Sequence, residues 1–354
     1  MTLRILFLGE NWHGSCARAC CYALRALGHD VADIDAQTVV PQLRSRPSRV
    51  ALRLTGAWLV REYNQLVRDT AASFEPDVLL AFKAPLLEAA TLRGLRRRGI
   101  VLYNYYPDTS IAVHGRRIPE ALPEYDCVFF TKRFGESDAR RRVVLRAARF
   151  LPHGYDAEVH RPWPLSQHDL KQYGHDVVVV ATHTAHKEAV LDAVIGAMPN
   201  VDLKVWGNGW RERNRSPRLR PHIVGAPVNG TAYSRALRAA RINVAIMSGP
   251  VAGASQGDET TTRTFEIPAC GGFMLHERSA ELQELFEEDQ EVACFDDVDE
   301  LIGKIGFYLA NPDARERIAR AGHARCVPAY SYDARMRALL DWHRAFAPGA
   351  VGGA

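Results

Sequence analysis

Short runs of uninterrupted apolar residues, each followed by a helix-length stretch, recur along this chain and leave few architectures open. Ile5-Leu6-Phe7-Leu8-Gly9, Val31 to Ile34, Asp77-Val78-Leu79-Leu80-Ala81-Phe82, Ile100 to Asn104 and Cys127 to Thr131 lack the inside–outside alternation of a half-exposed strand. Strands apolar on both faces must be covered on both, which is the condition of a parallel sheet wrapped by helices. The intervening stretches read as helices. One runs to Leu27 with Gly28 in the C-cap place, and one covers 85–97. A third shows one face through Leu59, Tyr63, Leu66, Val67, Thr70 and Phe74 at steps of three and four. The pattern then restarts, with strands at Val177 to Ala181, Val201 to Gly207, Ile242 to Met247 and Gly272 to Leu275, and helices at 186–197 and 231–240. Two successive sets predict an α/β chain of two Rossmann-like, doubly wound domains facing across a cleft, with ligands beyond the carboxyl ends of the strands. The expected domains are 1–157 and 158–330, joined near His160-Arg161-Pro162-Trp163-Pro164. In 331–354 a helix over 332–346 crosses back to the first domain, and the tail beyond Pro348 frays.

Composition narrows the class. A length of 354 residues suits two domains, and 47% hydrophobic with 24% charged residues excludes disordered and fibrous chains. No run of 18 apolar residues reads as a membrane span, and the first apolar run is too short for a leader core, so a cytoplasmic protein is expected. The cysteine count of seven is odd. Cys16, Cys20 and Cys21 lack a CxxC or His partner and read as small core residues, so no metal site is expected. Residues 1–161 hold 24 Lys/Arg against 17 Asp/Glu and the remainder 21 against 24, which sums to the net +4. The basic clusters Arg44/Arg46/Arg49/Arg53, Arg93/Arg96/Arg97/Arg98 and Arg140/Arg141/Arg142 read as solvated helix faces or as a peripheral contact with an anionic membrane or acceptor. No basic motif is interleaved with aromatics, so nucleic acid is not an expected partner. Gly9-Glu10-Asn11-Trp12-His13-Gly14 lacks the Gly-x-Gly-x-x-Gly spacing of a dehydrogenase.

The most informative segment runs from Asp258 to Leu275. Thr260-Thr261-Thr262 opens a helix whose free N–H groups, with the threonine hydroxyls and the Arg263 fork, suit a diphosphate. Glu266, one turn further, is placed to accept from ribose hydroxyls or simply to be solvated. Residues 263–272, Arg-Thr-Phe-Glu-Ile-Pro-Ala-Cys-Gly-Gly, resemble the signature of GT-B-fold glycosyltransferases of the "glycosyl transferases group 1" type found in spore-maturation CgeB-like proteins. Glu281-Leu282, Leu285-Phe286, Tyr308-Leu309-Ala310-Asn311-Pro312 and Tyr330-Ser331-Tyr332-Asp333 continue the likeness. Leu151-Pro152-His153-Gly154-Tyr155-Asp156, ending at Pro162, is similar to the interdomain connection of that fold.

That resemblance implies a glycosyltransferase taking a sugar from a nucleotide-diphosphate sugar to a hydroxyl or other nucleophile of an acceptor such as a glycan, lipid, small metabolite or protein. It implies neither a metal nor a bound cofactor. The wider retaining group has two acidic donor contacts eight residues apart, a spacing met by Asp258 and Glu266, and Pro268 should keep the helix short or kinked. For the diphosphate, the resemblance places a basic residue after the first strand of the second domain, Lys187 first and His183 second. Gly207 and Trp210 of Trp206-Gly207-Asn208-Gly209-Trp210, with Val224 of Val224-Gly225-Ala226-Pro227, belong near the nucleobase; Trp210 either stacks on it or packs in the core. On the acceptor side, His13 follows the first strand, as general base or to orient the sugar. Lys83 follows another strand, Asp108 follows a third as a candidate base, and His114 and His153 are weaker candidates. A GT-B sugar-nucleotide epimerase or hydrolase, or a non-catalytic sugar-nucleotide-binding partner, is the rival reading.

Overall fold

The computed structural model describes residues 2–39, 46–225 and 227–346, without the side chains of 46–55. The expected frayed tail, Arg44, the side chains of Arg46, Arg49 and Arg53, and Ala226 lie outside the described residues. The chain divides into two units. The first runs to Pro152 and takes in Pro250–Gln256 and the chain from Arg335 on; the second comprises His153–Gly249 and Gly257–Ala334.

The first unit is a six-stranded sheet of β1 (Arg4–Leu8), β2 (Asp30–Ile34), β3 (Val78–Phe82), β4 (Val101–Tyr106), β5 (Cys127–Phe130) and β6 (Ala148–Phe150). The order is β2-β1-β3-β4-β5-β6 and all pairs are parallel. As the apolar runs require, β1, β3, β4 and β5 are buried almost throughout. Strand β6 is absent from the sequence reading because Ala148-Arg149-Phe150 is too short to show a pattern. The long helix Arg46–Phe74 buries Val60, Tyr63, Asn64, Val67 and Ala71. Leu66 is exposed instead of belonging to the buried face, because the stripe runs through Val60, Asn64 and Ala71, beside the one inferred from Leu59, Leu66 and Phe74. The helix expected over 85–97 starts at Ala89, after Glu88. From the last helix, Tyr332–Phe346, Trp342 meets Tyr103 and Phe129 edge-on, and His343 Nδ1 lies 2.8 Å from the Tyr103 hydroxyl. Arg93 and Arg96 pair with Glu124, Arg140 with Glu136 and Arg141 with Asp138, so these cluster arginines already hold carboxylates of their own unit.

The second unit is a five-stranded parallel sheet of β7 (Val177–Val180), β8 (Leu203–Trp206), β9 (Ile242–Ala245), β10 (Met274–Glu277) and β11 (Ala293–Phe295), in the order β11-β10-β9-β7-β8. Strand β11 is again three residues long, too short to show a pattern in the sequence. The order reverses between β7 and β9, and in an open α/β sheet the crevice beyond such strand ends takes the ligand. None of the seven cysteines is in a disulfide, and all but Cys16 are buried. Among the described residues no helix is long and apolar enough to cross a membrane.

Candidate functional site

The switch point between β7 and β9 gathers charge. Thr184 caps the helix Ala185–Ala197 that leaves β7, accepting from the Lys187 N–H. This aims Lys187 across the switch point, where its Nζ donates to Ser248 Oγ beyond β9 at 2.7 Å. Lys187 is 2% exposed, and burial with the nearby Arg263 charge lowers its pKa to about 8 against the pull of Asp258 and Glu277. The Asp258 backbone N–H donates to Ser248 O, and the Glu277 carboxylate at the end of β10 accepts the Met247 N–H, so the Asp258 backbone and the Glu277 side chain brace the exit of β9. Two cations thus face two carboxylates. The sequence gives no sign that Ser248 and Glu277 meet at Lys187, since they lie far from it along the chain and only the sheet order joins them.

The helix Thr262–Ala269 ends one residue after Pro268, as its sequence requires. A chain of hydrogen bonds fixes its start. The Thr261 N–H donates to Thr264 Oγ1, and Thr264 Oγ1 lies 2.9 Å from His276 Nε2. His276 Nδ1 contacts the Glu277 carbonyl at 2.6 Å, which can only accept, so Nδ1 carries the proton and Nε2 accepts from Thr264. Burial lowers the His276 pKa to about 4 and keeps the ring neutral. At the helix start, the Thr261 hydroxyl and Arg263 Nε are buried without a hydrogen-bond partner, while another Arg263 nitrogen reaches Ile246 O at 3.4 Å. Both donors are available to a ligand. Thr262 is partly exposed at the first helical position.

Glu266 stands apart from this cluster. It is 6% exposed and accepts from the Tyr233 hydroxyl at 2.7 Å. His160 Nδ1 accepts the Asp156 N–H, which leaves an Nε2–H facing Glu266 Oε1 at 3.9 Å. Tyr233 and His160 were missed because nothing in their spacing relates them to Glu266.

The loop after β8 is held against the end of β7. Gly207 has φ +133, and a Cβ there would lie 2.0 Å from Ala181 O, so only glycine permits this approach. Trp210 donates to that same carbonyl at 2.7 Å and is 0% exposed. Of its two expected roles the structure gives Trp210 the core one, since a fully buried ring has no face for a base. His183 stacks edge-on against Trp210 and contacts Glu188 at 2.6 Å. It lines a hollow of about 1010 Å³ with Thr184, Glu188, Asp192 and Arg213, and it is Lys187 that reaches the switch point. Val224 pairs its N–H with Val205 O, and its carbonyl accepts from Arg211.

In the first unit His13 is exposed on the loop after β1. Asp108, beyond β4, receives both Lys83 Nζ at 2.7 Å and His114 Nε2 at 2.6 Å on one oxygen, Oδ2. Despite burial, these partners lower its pKa to about 2. That corrects its expected role, because a carboxylate so stabilised as an anion is a poor proton acceptor at neutral pH. His153 is buried, its Nδ1 3.4 Å from the Tyr332 hydroxyl.

Two parallel-sheet α/β units, the second with cations and orphaned donors at its switch point, have the architecture of GT-B glycosyltransferases. Residues 184–341 match the family described as glycosyl transferase-like, and fold and domain together define a glycosyltransferase. Sucrose-phosphate synthase from Thermosynechococcus elongatus superposes with a TM-score of 0.66 at 15% identity, over 97% of this chain and 98% of that one. Anabaena Alr3699/HepE in complex with UDP-glucose gives 0.66 at 12% identity over 97% and 100%. A glycosyltransferase from Rickettsia africae gives 0.65 at 11% over 97% and 98%. Comparison with curated proteins gave no match.

Proposed function

We propose that this enzyme moves a sugar from a nucleoside-diphosphate sugar, UDP-glucose being the first donor to test, to a hydroxyl of an acceptor glycan, lipid or small metabolite. The observation that carries the donor reading is the nearly buried Lys187 at the switch point, beside the unpartnered Arg263 Nε and Thr261 hydroxyl. In this reading Lys187, Arg263, Thr261 and Thr262 bind the diphosphate without a metal. Glu266 takes the ribose through Oε1, Asp258 faces the sugar, and Gly207 and Val224 offer backbone to the base. The first unit presents the acceptor. Structures of Alr3699/HepE with UDP-glucose, and with UDP and glucose, support the choice of ligands. The string at 263–272 supports a place in the CgeB-like subgroup.

The test is UDP release from UDP-glucose with and without a panel of sugar acceptors. Release that requires an acceptor supports transfer. Release without one marks a hydrolase or epimerase, and binding without release a non-catalytic protein. The Lys187 charge adds a pH signature. The diphosphate favours the ammonium form, and a lysine with a pKa of about 8 loses that form as pH rises through this value. Affinity for UDP-glucose, which has no titrating phosphate in that range, should therefore fall about tenfold between pH 7 and 9 and stay level from 6 to 7. Calorimetric titration across that range checks it, and a flat profile would remove Lys187 from the diphosphate.

A further inference from the structure

Two segments of the second unit converge on the Glu266 carboxylate. The helix Gly230–Ala239 carries Tyr233, whose hydroxyl donates to Glu266 Oε2 at 2.7 Å. The same helix is tied to the residue before His160, because the Ser234 hydroxyl donates to Val159 O at 2.7 Å. Val159 O also accepts from Trp163 Nε1 at 2.8 Å, so His160 hangs from a fixed backbone. Its ring is fixed as well. The His160 N–H donates to Asp156 O, its Nδ1 accepts the Asp156 N–H at 3.1 Å, and Tyr233 meets the ring edge-on at 5.7 Å. A ring nitrogen that accepts from a backbone N–H carries no proton, so this imidazole is neutral with its one N–H at Nε2. That N–H faces Glu266 Oε1 across 3.9 Å, beyond hydrogen-bond reach. The two side chains are 3% and 8% exposed. Among the described residues neither facing atom has a hydrogen-bond partner, yet, unlike Arg263 Nε, neither is sealed from solvent.

We propose that His160 is a ligand-binding residue, and that with Glu266 it forms a paired donor and acceptor reading one hydroxyl of the nucleotide's ribose. This rests on the ribose reading of Glu266 above and adds the residue on the other side of that hydroxyl. An oxygen about 2.8 Å from both atoms closes the gap with an angle of about 90° at the oxygen. It has to accept from His160 and donate to Glu266, since an ionised carboxylate only accepts. A hydroxyl does both, an ether oxygen only accepts, and a hydrogen does neither. Tyr233 is a positioning residue here: it occupies Oε2, so that the carboxylate presents Oε1 to the ligand. A site built to hydrogen-bond a hydroxyl rejects the analogue without it, because its nearly buried polar groups are then left unpaired.

The full-length chain and its His160→Phe and His160→Gln variants are titrated calorimetrically with UDP, 2′-deoxy-UDP, 3′-deoxy-UDP and the two matching O-methyl ethers. Phenylalanine keeps a ring against Tyr233 without the N–H, and glutamine keeps an N–H donor. Wild type is expected to bind one deoxy analogue, and the methyl ether at that same position, about tenfold or more weakly than UDP. His160→Phe should weaken UDP by about 2- to 12-fold, leave that deoxy analogue unchanged and so narrow the gap by the same factor. His160→Gln should restore part of it. A His160→Phe variant that leaves UDP affinity unchanged, or weakens UDP and both deoxy analogues equally, overturns the proposal and leaves Glu266 to hold the ribose without it. A wild-type chain that binds UDP and both deoxy analogues alike defeats the ribose contact itself, and the proposal with it, while the diphosphate contacts still stand.

Discussion

Replacing Arg263 by alanine is expected to weaken UDP binding by about 10- to 150-fold, the equivalent of about 1.5–3 kcal/mol for a charge-assisted contact. Arg263 Nε is buried without a partner, and the residue lies one helical turn before Glu266, next to the start of its helix. A diphosphate oxygen there would satisfy Nε and the Thr261 hydroxyl together. Uridine, which has no phosphate, should lose far less. Equal losses for the two ligands, measured by titration calorimetry, would make Arg263 a structural support and return the phosphate to Lys187. The variant carries a second signature. Arg263 is one of the causes depressing the Lys187 pKa, so its removal should move the alkaline fall in UDP-glucose affinity to higher pH.

Glu266→Ala should lower both donor affinity and stability. Glu266 is buried against Tyr233, and deleting the carboxylate strands a buried hydroxyl, which costs about 1–3 kcal/mol. At about 2–4 °C per kcal/mol for a domain of this size, the melting temperature should fall by roughly 2–12 °C. Glu266→Gln keeps an acceptor for Tyr233 and should spare most of that stability while still weakening the donor contact. Tyr233→Phe paired with Glu266→Ala separates the effects, because the double variant has no stranded hydroxyl. Unchanged nucleotide affinity in both Glu266 variants would strip the residue of its assigned contact.

The architecture was legible because apolar runs of four to six residues cannot satisfy a half-exposed sheet, whereas β6 and β11 are too short to carry any periodicity. The short helix Thr262–Ala269 was legible from its threonines and Pro268. Three things were not. The exit of β9 shows no sign that Ser248 will meet Lys187, because that contact depends on which strands become neighbours. Trp210 reads alike as platform or core until its N–H is seen on Ala181 O. Asp108 looks like a base in isolation, and only the positive-φ turn at Lys83 and the return of His114 show its proton affinity being removed.

The thiols give the molecule a built-in reporter of opening. Burial raises the pKa of Cys21 to about 11 and of Cys127 and Cys294 to about 12, so neither access nor ionisation favours their alkylation in the folded chain. Cys16, partly exposed, supplies the prompt background signal. The remaining six divide between the units, Cys20, Cys21 and Cys127 in one and Cys270, Cys294 and Cys326 in the other. Peptide-resolved labelling with iodoacetamide would therefore time the breathing of each unit separately within a single unmodified chain, and a nucleotide that protects only the second triplet would announce where it binds.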